Sequence, residues 1–149
     1  ACKAFEGDTN MNKTTTSQAF LAEIDHLLPP TVVAALTDFQ SHLLALFPDD
    51  IEQLILYGSY ARGEAKPESD VDVLVVVNWA ESAHLQHYYL GGPGDPRWQQ
   101  IIDLAMDIMI ARGPYISVLV VGQSLFNSNW SVAEAARKEG KVLWLKSLT

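Results

Sequence analysis

The sequence predicts an α/β (α+β) domain in which a small, mixed, mostly apolar sheet carries flanking helices. Three observations lead there. Residues 73–77 (Val-Leu-Val-Val-Val) are apolar at both parities, the mark of a central strand covered on both faces. Val32, Val33, Leu36, Phe39, Leu43, Leu44 and Phe47 recur close to the i, i+3/i+4, i+7 spacing of one buried helix face. Strand-like and helix-like segments then alternate along the chain between breaks carrying Pro and Gly.

Residues 1–18 lack an apolar stretch and are expected to be poorly ordered; Met11 reads as a natural start, which would make residues 1–10 an upstream or appended piece. Residues 19–149 are then expected to form one domain. Residues 18–28 read as helical, broken by Pro29-Pro30. Thr31 is a plausible N-cap for a helix through Phe47, ended by Pro48-Asp49-Asp50. Residues 51–57 read as a strand, and Gly58-Ser59 opens a helical turn that Pro67 stops. Residues 70–78 form the clearest strand. Residues 79–90 read as a helix before a Gly-Gly-Pro-Gly-Asp-Pro loop. Arg97–Arg112 is helical, with Trp98, Ile101, Ile102, Ala105, Ile108 and Met109 inward. Residues 115–121 are a buried strand and 123–129 a turn or short helix. Ser131 caps a helix to Glu139, Gly140 stops it, and 141–145 is a short strand or edge segment.

The 149 residues suffice for one core. Ten Lys and Arg face eighteen Asp and Glu, a net charge of −8, so bulk attraction to a nucleic-acid backbone is not expected. A polyphosphate ligand would need local help from backbone N–H groups or a divalent metal. The single cysteine, Cys2, excludes an internal disulfide and a cysteine-based zinc site, which fits a reducing cytoplasm. No apolar run approaches the ~18 residues of a membrane span.

Chemistry concentrates in residues 56–77 (LYGSYARGEAKPESDVDVLVVV). Gly58 permits a sharp, closely approached bend. The helix start behind it offers unpaired N–H groups suited to phosphate, and Ser59 adds a hydroxyl. The plainer account is an ordinary strand-to-helix turn. Asp70 and Asp72 are two apart at a strand's start, so both carboxylates point to one side, roughly 6.6 Å apart along the strand at ~3.3 Å per residue. Such a pair suits a hard cation such as Mg²⁺ together with substrate phosphates. A solvated strand entrance is the plainer account here.

Together, Gly58, Ser59, Ala61, Arg62, Gly63, Ser69, Asp70 and Asp72 resemble the signature of the DNA polymerase beta-like nucleotidyltransferase superfamily, most closely its minimal nucleotidyltransferases. The order of elements matches from residue 31 to about 145; only 56–77 is specific. The resemblance implies that Gly58 and Ser59 hold the β and γ phosphates of an NTP (ATP or another). It implies that Asp70 and Asp72 hold Mg²⁺ or Mn²⁺, and that an acceptor hydroxyl attacks the α-phosphorus. Arg62 would pair with phosphate oxygens, or else form an ion pair with Glu64, Glu68 or Asp70.

One position departs from that pattern. The family's third carboxylate would come from the strand at 115–121, where the aligned residue is Ser117. No Asp or Glu occurs in 113–133, so a shift of register cannot restore it. The lost acid implies weakened activation of the acceptor, since general-base help is worth about 10²–10⁴-fold. Three readings follow: a slow enzyme or one borrowing a base, substitution by Asp95, Asp103 or Asp107, or binding without transfer. Asp103 and Asp107 lie i, i+4 opposite the apolar stripe, as a solvated face would.

His84 and His87 are i, i+3 but have no carboxylate beside them. Trp79, Trp98, Trp130 and Trp144 read as core and interface; Trp79 with Tyr88-Tyr89-Leu90 would suggest a protein partner or homodimer contact if exposed. The resemblance implies an antitoxin role toward a HEPN-type helical ribonuclease, nucleotidylated on a tyrosine. The alternative is a non-catalytic nucleotide- or protein-binding module on the same fold.

Overall fold

The computed structural model describes residues 17–79 and 95–146. Within them run β1 (Ser17–Ala19), α1 (Leu21–Ile24), a 3₁₀ turn (Asp25–Leu27), α2 (Pro30–Leu46), β2 (Ile51–Tyr57), α3 (Ser59–Arg62) and β3 (Val71–Val77). After the break come α4 (Pro96–Arg112), β4 (Ile116–Gly122), α5 (Gln123–Phe126), α6 (Ser131–Glu139) and β5 (Lys141–Lys146). The described strands make one five-stranded mixed sheet in the order β1-β5-β2-β3-β4. All neighbours are antiparallel except β3 and β4, which are parallel.

Alternation along β3 divides the interior. Val71, Val73, Val75 and Val77 point to one side with Leu54, Leu56, Ile116, Val118 and Val120. There α2 and α4 cover the sheet with Leu36, Phe39, Leu43, Ile101, Ala105 and Ile108. Each large apolar side chain buried there contributes about 1.5–3 kcal/mol. The opposite side is thinner: Ile55, Leu74, Val76 and Val121 meet Phe126 of α5 and Ala136 of α6.

Several boundaries move from the sequence reading. Residues 18–28 are not one helix: Ser17–Ala19 pair with β5, and a four-residue helix and a 3₁₀ turn follow. Pro29, not Thr31, is the N-cap of α2, with Pro30 in its first turn. A proline there lacks only an N–H that the helix leaves unpaired, so it starts the helix instead of ending one. Trp130, not Ser131, is the N-cap of α6. Helix α4 begins at Pro96, and Asp95 caps it by accepting from the Arg97 N–H at 2.9 Å. Residues 141–146 lie between β1 and β2, inside the sheet order and not at its edge.

Trp79 is buried, so it does not join an exposed aromatic patch. Its indole N–H donates to Asp50 Oδ2 at 2.9 Å, its ring meets Phe47 edge-on, and the Arg97 guanidinium lies 4.0 Å above it. Trp144 is buried, and Trp98 and Trp130 pack partly buried against the two cores. The expected helix at 79–90, and with it His84, His87, Tyr88, Tyr89 and Leu90, lies outside the described residues apart from Trp79, as do residues 1–16. No described helix is long and apolar enough to cross a membrane.

Candidate active site

The site forms where β2 ends and β3 begins, beyond the thin core. Strand β2 runs apolar to Leu56, and the chain then turns at Gly58 with φ +80° and ψ −155°. Few side-chain-bearing residues adopt that conformation. The space is also taken: a Cβ on Gly58 would lie 2.2 Å from Asp72 Oδ2. The Asp72 carboxylate therefore leans onto bare backbone, directly beside the start of α3.

Helix α3 is a single turn, so it lacks the length for a strong dipole. Its first N–H groups are nonetheless without helical acceptors, as at any helix start. Arg62 N–H donates to Gly58 O at 3.1 Å and Glu64 N–H to Ser59 O at 2.9 Å, which winds the segment back onto the bend. Gly63 is left-handed at φ +76° and ends the turn. Ala61 is buried in the larger core. Ser69 Oγ accepts from Lys66 N–H at 2.8 Å and shapes the turn before Asp70. Thus Ala61, Gly63 and Ser69 hold the backbone around the contact between Gly58 and Asp72.

Asp72 is half-buried and Asp70 exposed. Burial and the neighbouring Asp70 charge push the Asp72 carboxyl above its ordinary range, and the Arg62 charge partly offsets them. A divalent cation between the two acids would remove both penalties at once. The donor set, the Asp72 carboxylate over a glycine whose missing Cβ leaves its oxygen room and Asp70 two residues before it, suits a hard cation. The described residues hold no group of three or more His, Cys, Asp or Glu able to bind a metal.

Strand register sets the row across the site. Asp72 pairs with Tyr57 on β2 and with Ser117 on β4. A carboxylate therefore sits between two hydroxyl-bearing side chains. Burial, then the Asp72 charge, pushes the Tyr57 phenol up to about 12, so it stays protonated at working pH.

A family model for the nucleotidyltransferase domain matches residues 38–139, which run from the middle of α2 to the end of α6. The chain belongs to the nucleotidyltransferase family. A protein of Methanocaldococcus jannaschii named "Putative protein adenylyltransferase" is 32% identical over 112 residues, covering 74% of this chain and 95% of that one. A second protein of that name from the same organism is 39% identical over 46 residues, 31% of this chain and 46% of its own length. A crystal structure of a toxin–antitoxin with AMP-PNP superposes at a TM-score of 0.45 with 22% identity, covering 72% of each chain.

In this nucleotidyltransferase, the acids weighed as substitutes for the third carboxylate are engaged elsewhere or exposed. Asp95 caps α4 and pairs with Arg97 at 3.3 Å. Asp103 accepts from Gln99 at 2.9 Å, and Asp107 is exposed on the same helix. Arg62 makes the ion pair, not a contact with Asp70: its Nε meets Glu64 Oε1 at 2.9 Å and its Nη1 meets Glu139 Oε1 at 3.5 Å. Sequence reasoning did not single out Tyr57, although its place two strand positions beyond Ile55 put it on the Asp72 side. Glu139 left no sequence signal at all, because 77 residues separate it from Arg62.

Proposed function

We propose that the chain transfers a nucleoside monophosphate from an NTP to a hydroxyl of a partner protein, with Mg²⁺ or Mn²⁺ held by Asp70 and Asp72. The observation that carries this reading is the Asp72 carboxylate set against the Gly58 backbone at the start of α3, with the Asp70 charge near enough to act on it. The triphosphate would rest on the Gly58–Ser59 bend, with the Ser59 hydroxyl donating to it. The bound cation would supply neutralisation of the phosphate charge that builds at the leaving group. The acceptor oxygen forms a bond to the α-phosphorus, the α–β bridging P–O bond breaks, pyrophosphate leaves, and the acceptor proton passes to a base or to water.

A protein acceptor is supported by the name of the relative aligned over 95% of its length. The motif resemblance favours a HEPN-type ribonuclease tyrosine as acceptor, with this chain as its antitoxin. The second reading is a module that binds nucleotide or partner without transfer; the neutral Ser117 beside Asp72 favours it.

Incubation with each α-labelled NTP and Mg²⁺ or Mn²⁺, alongside the protein encoded by the neighbouring gene, separates the two. The transfer reading expects label on the partner and none with Asp70→Asn. Nucleotide binding with no label on any acceptor would favour the second reading.

A further inference from the structure

Arg62 and Glu64 are both wound onto the Gly58–Ser59 bend by main-chain hydrogen bonds, so the guanidinium starts from the edge of the site. Two carboxylates take hold of it. Glu64 binds Nε at 2.9 Å from the same loop, and Glu139 approaches Nη1 at 3.5 Å from α6. Glu139 is an odd choice at its own position. It is the last residue of a helix, where the backbone carbonyls favour a cation and disfavour an acid. Gly140, next along, is wedged in place: a Cβ there would lie 2.3 Å from Ala136 O and 2.5 Å from Ile55 Cγ2. The carboxylate of Glu139 is thus carried to Arg62 on a backbone with little freedom to withdraw it. The side chains of Arg62 and Glu139 are each 43% exposed and that of Glu64 is 66% exposed. Exposed ion pairs hold weakly, because water screens them and both long side chains lose freedom. These contacts are strong enough to orient a guanidinium and weak enough to be exchanged for a phosphate, a better bidentate acceptor.

We infer that Glu64 and Glu139 occupy Arg62 Nε and Nη1 in place of ligand phosphate oxygens, so that Arg62 turns Nη1 to the nucleotide by giving up Glu139. Glu139 is then a positioning residue that lowers nucleotide affinity and ties it to the seating of α6 on β2. This rests on the nucleotide reading above.

The test is the Kd of a Mg²⁺-complexed, non-hydrolysable ATP analogue, by calorimetry on the full chain. Glu139→Gln is expected to tighten binding by about two- to fivefold, the size of one exposed ion pair. Glu134→Gln removes the same charge from the same helix and is expected to leave Kd unchanged. In an Arg62→Gln background, Glu139→Gln is expected to have no effect. If wild type binds the analogue and Asp72→Asn does not, yet Glu139→Gln leaves Kd unchanged or weakens it, the Arg62 inference falls and the nucleotide reading stands. An equal gain in the Arg62→Gln background also overturns it, since only net charge would then matter. If wild type shows no Mg²⁺-dependent binding, the nucleotide reading fails and takes the inference with it. Thermal melts of each variant show whether the fold is intact.

Discussion

Asp72 reaches across from β3 into the space that a side chain on Gly58 would fill, a Cβ there lying 2.2 Å from its Oδ2. The bend and the acid are therefore one unit, and neither can change alone.

Gly58→Ala is expected to fail twice. The φ of +80° would strain the alanine by about 1–3 kcal/mol, and its methyl would displace the Asp72 carboxylate. Urea unfolding should show the loss of stability, and metal-dependent nucleotide binding should disappear. Gly63→Ala is the comparison: its φ is +76°, but nothing lies within 4 Å of the added methyl. It should cost about 1–2 kcal/mol and leave binding in place.

Ser117 pairs in register with Asp72, so Ser117→Asp would return an acid to the row. If acceptor activation limits transfer, the single-turnover rate should rise by about two orders of magnitude or more, within the ~10²–10⁴ range of general-base help. A flat response would point to a base supplied by the partner. The new charge would also push the Asp72 carboxyl further up when no cation is bound.

Asp95 caps α4, and its hydrogen bonds with Arg97 hold its carboxyl below the ordinary range. Asp95→Ala should cost about 0.5–2 kcal/mol, and Asp95→Asn less, because the amide oxygen can still accept from the Arg97 N–H. A depressed value means that the charge-dependent stabilisation is fully present above about pH 3.9, the ordinary Asp value. It is lost as pH falls through the lower folded value. The stability gap between wild type and Asp95→Asn should thus be flat from pH 5 to 7 and close below pH 4 in denaturant titrations.

Gly140→Ala tests the seat of α6. With Ala136 O at 2.3 Å and Ile55 Cγ2 at 2.5 Å from the added methyl, helix and strand must separate. Overpacking of this kind typically costs about 1–3 kcal/mol, read as a lower Tm. The more telling readout is nucleotide affinity, which should change with the Arg62–Glu139 contact.

Much of this was readable from local pattern. The doubly apolar run at 73–77 places β3 in the middle of the sheet, and the spacing of Leu36, Phe39 and Leu43 aims one face of α2 at the core. Gly58, Ser59, Asp70 and Asp72 are close enough in sequence for a single turn to gather them. Helix starts were harder, because Pro29-Pro30 reads equally as a stop and as a first turn. Strand β1 has only three residues, and no alternation can be read in so short a segment; its pairing with β5 spans most of the chain. The Trp79–Asp50–Arg97 and Arg62–Glu139 contacts were beyond reach for a related reason. Each joins elements whose approach is fixed by the packed sheet, not by neighbouring residues.

The two sides of the sheet are unequally clad, and Asp72 lies on the lighter one. On that side a four-residue α5 and a nine-residue α6 rest on few buried groups, whereas two seventeen-residue helices grip the other. Backbone amides of α5 and α6 should therefore exchange with deuterium through local opening, well before those of β3 and α2 give way. Breathing can begin around Asp72 while the heavier half stays shut, so that on the proposed reading an acceptor could approach that side without partial denaturation of the whole.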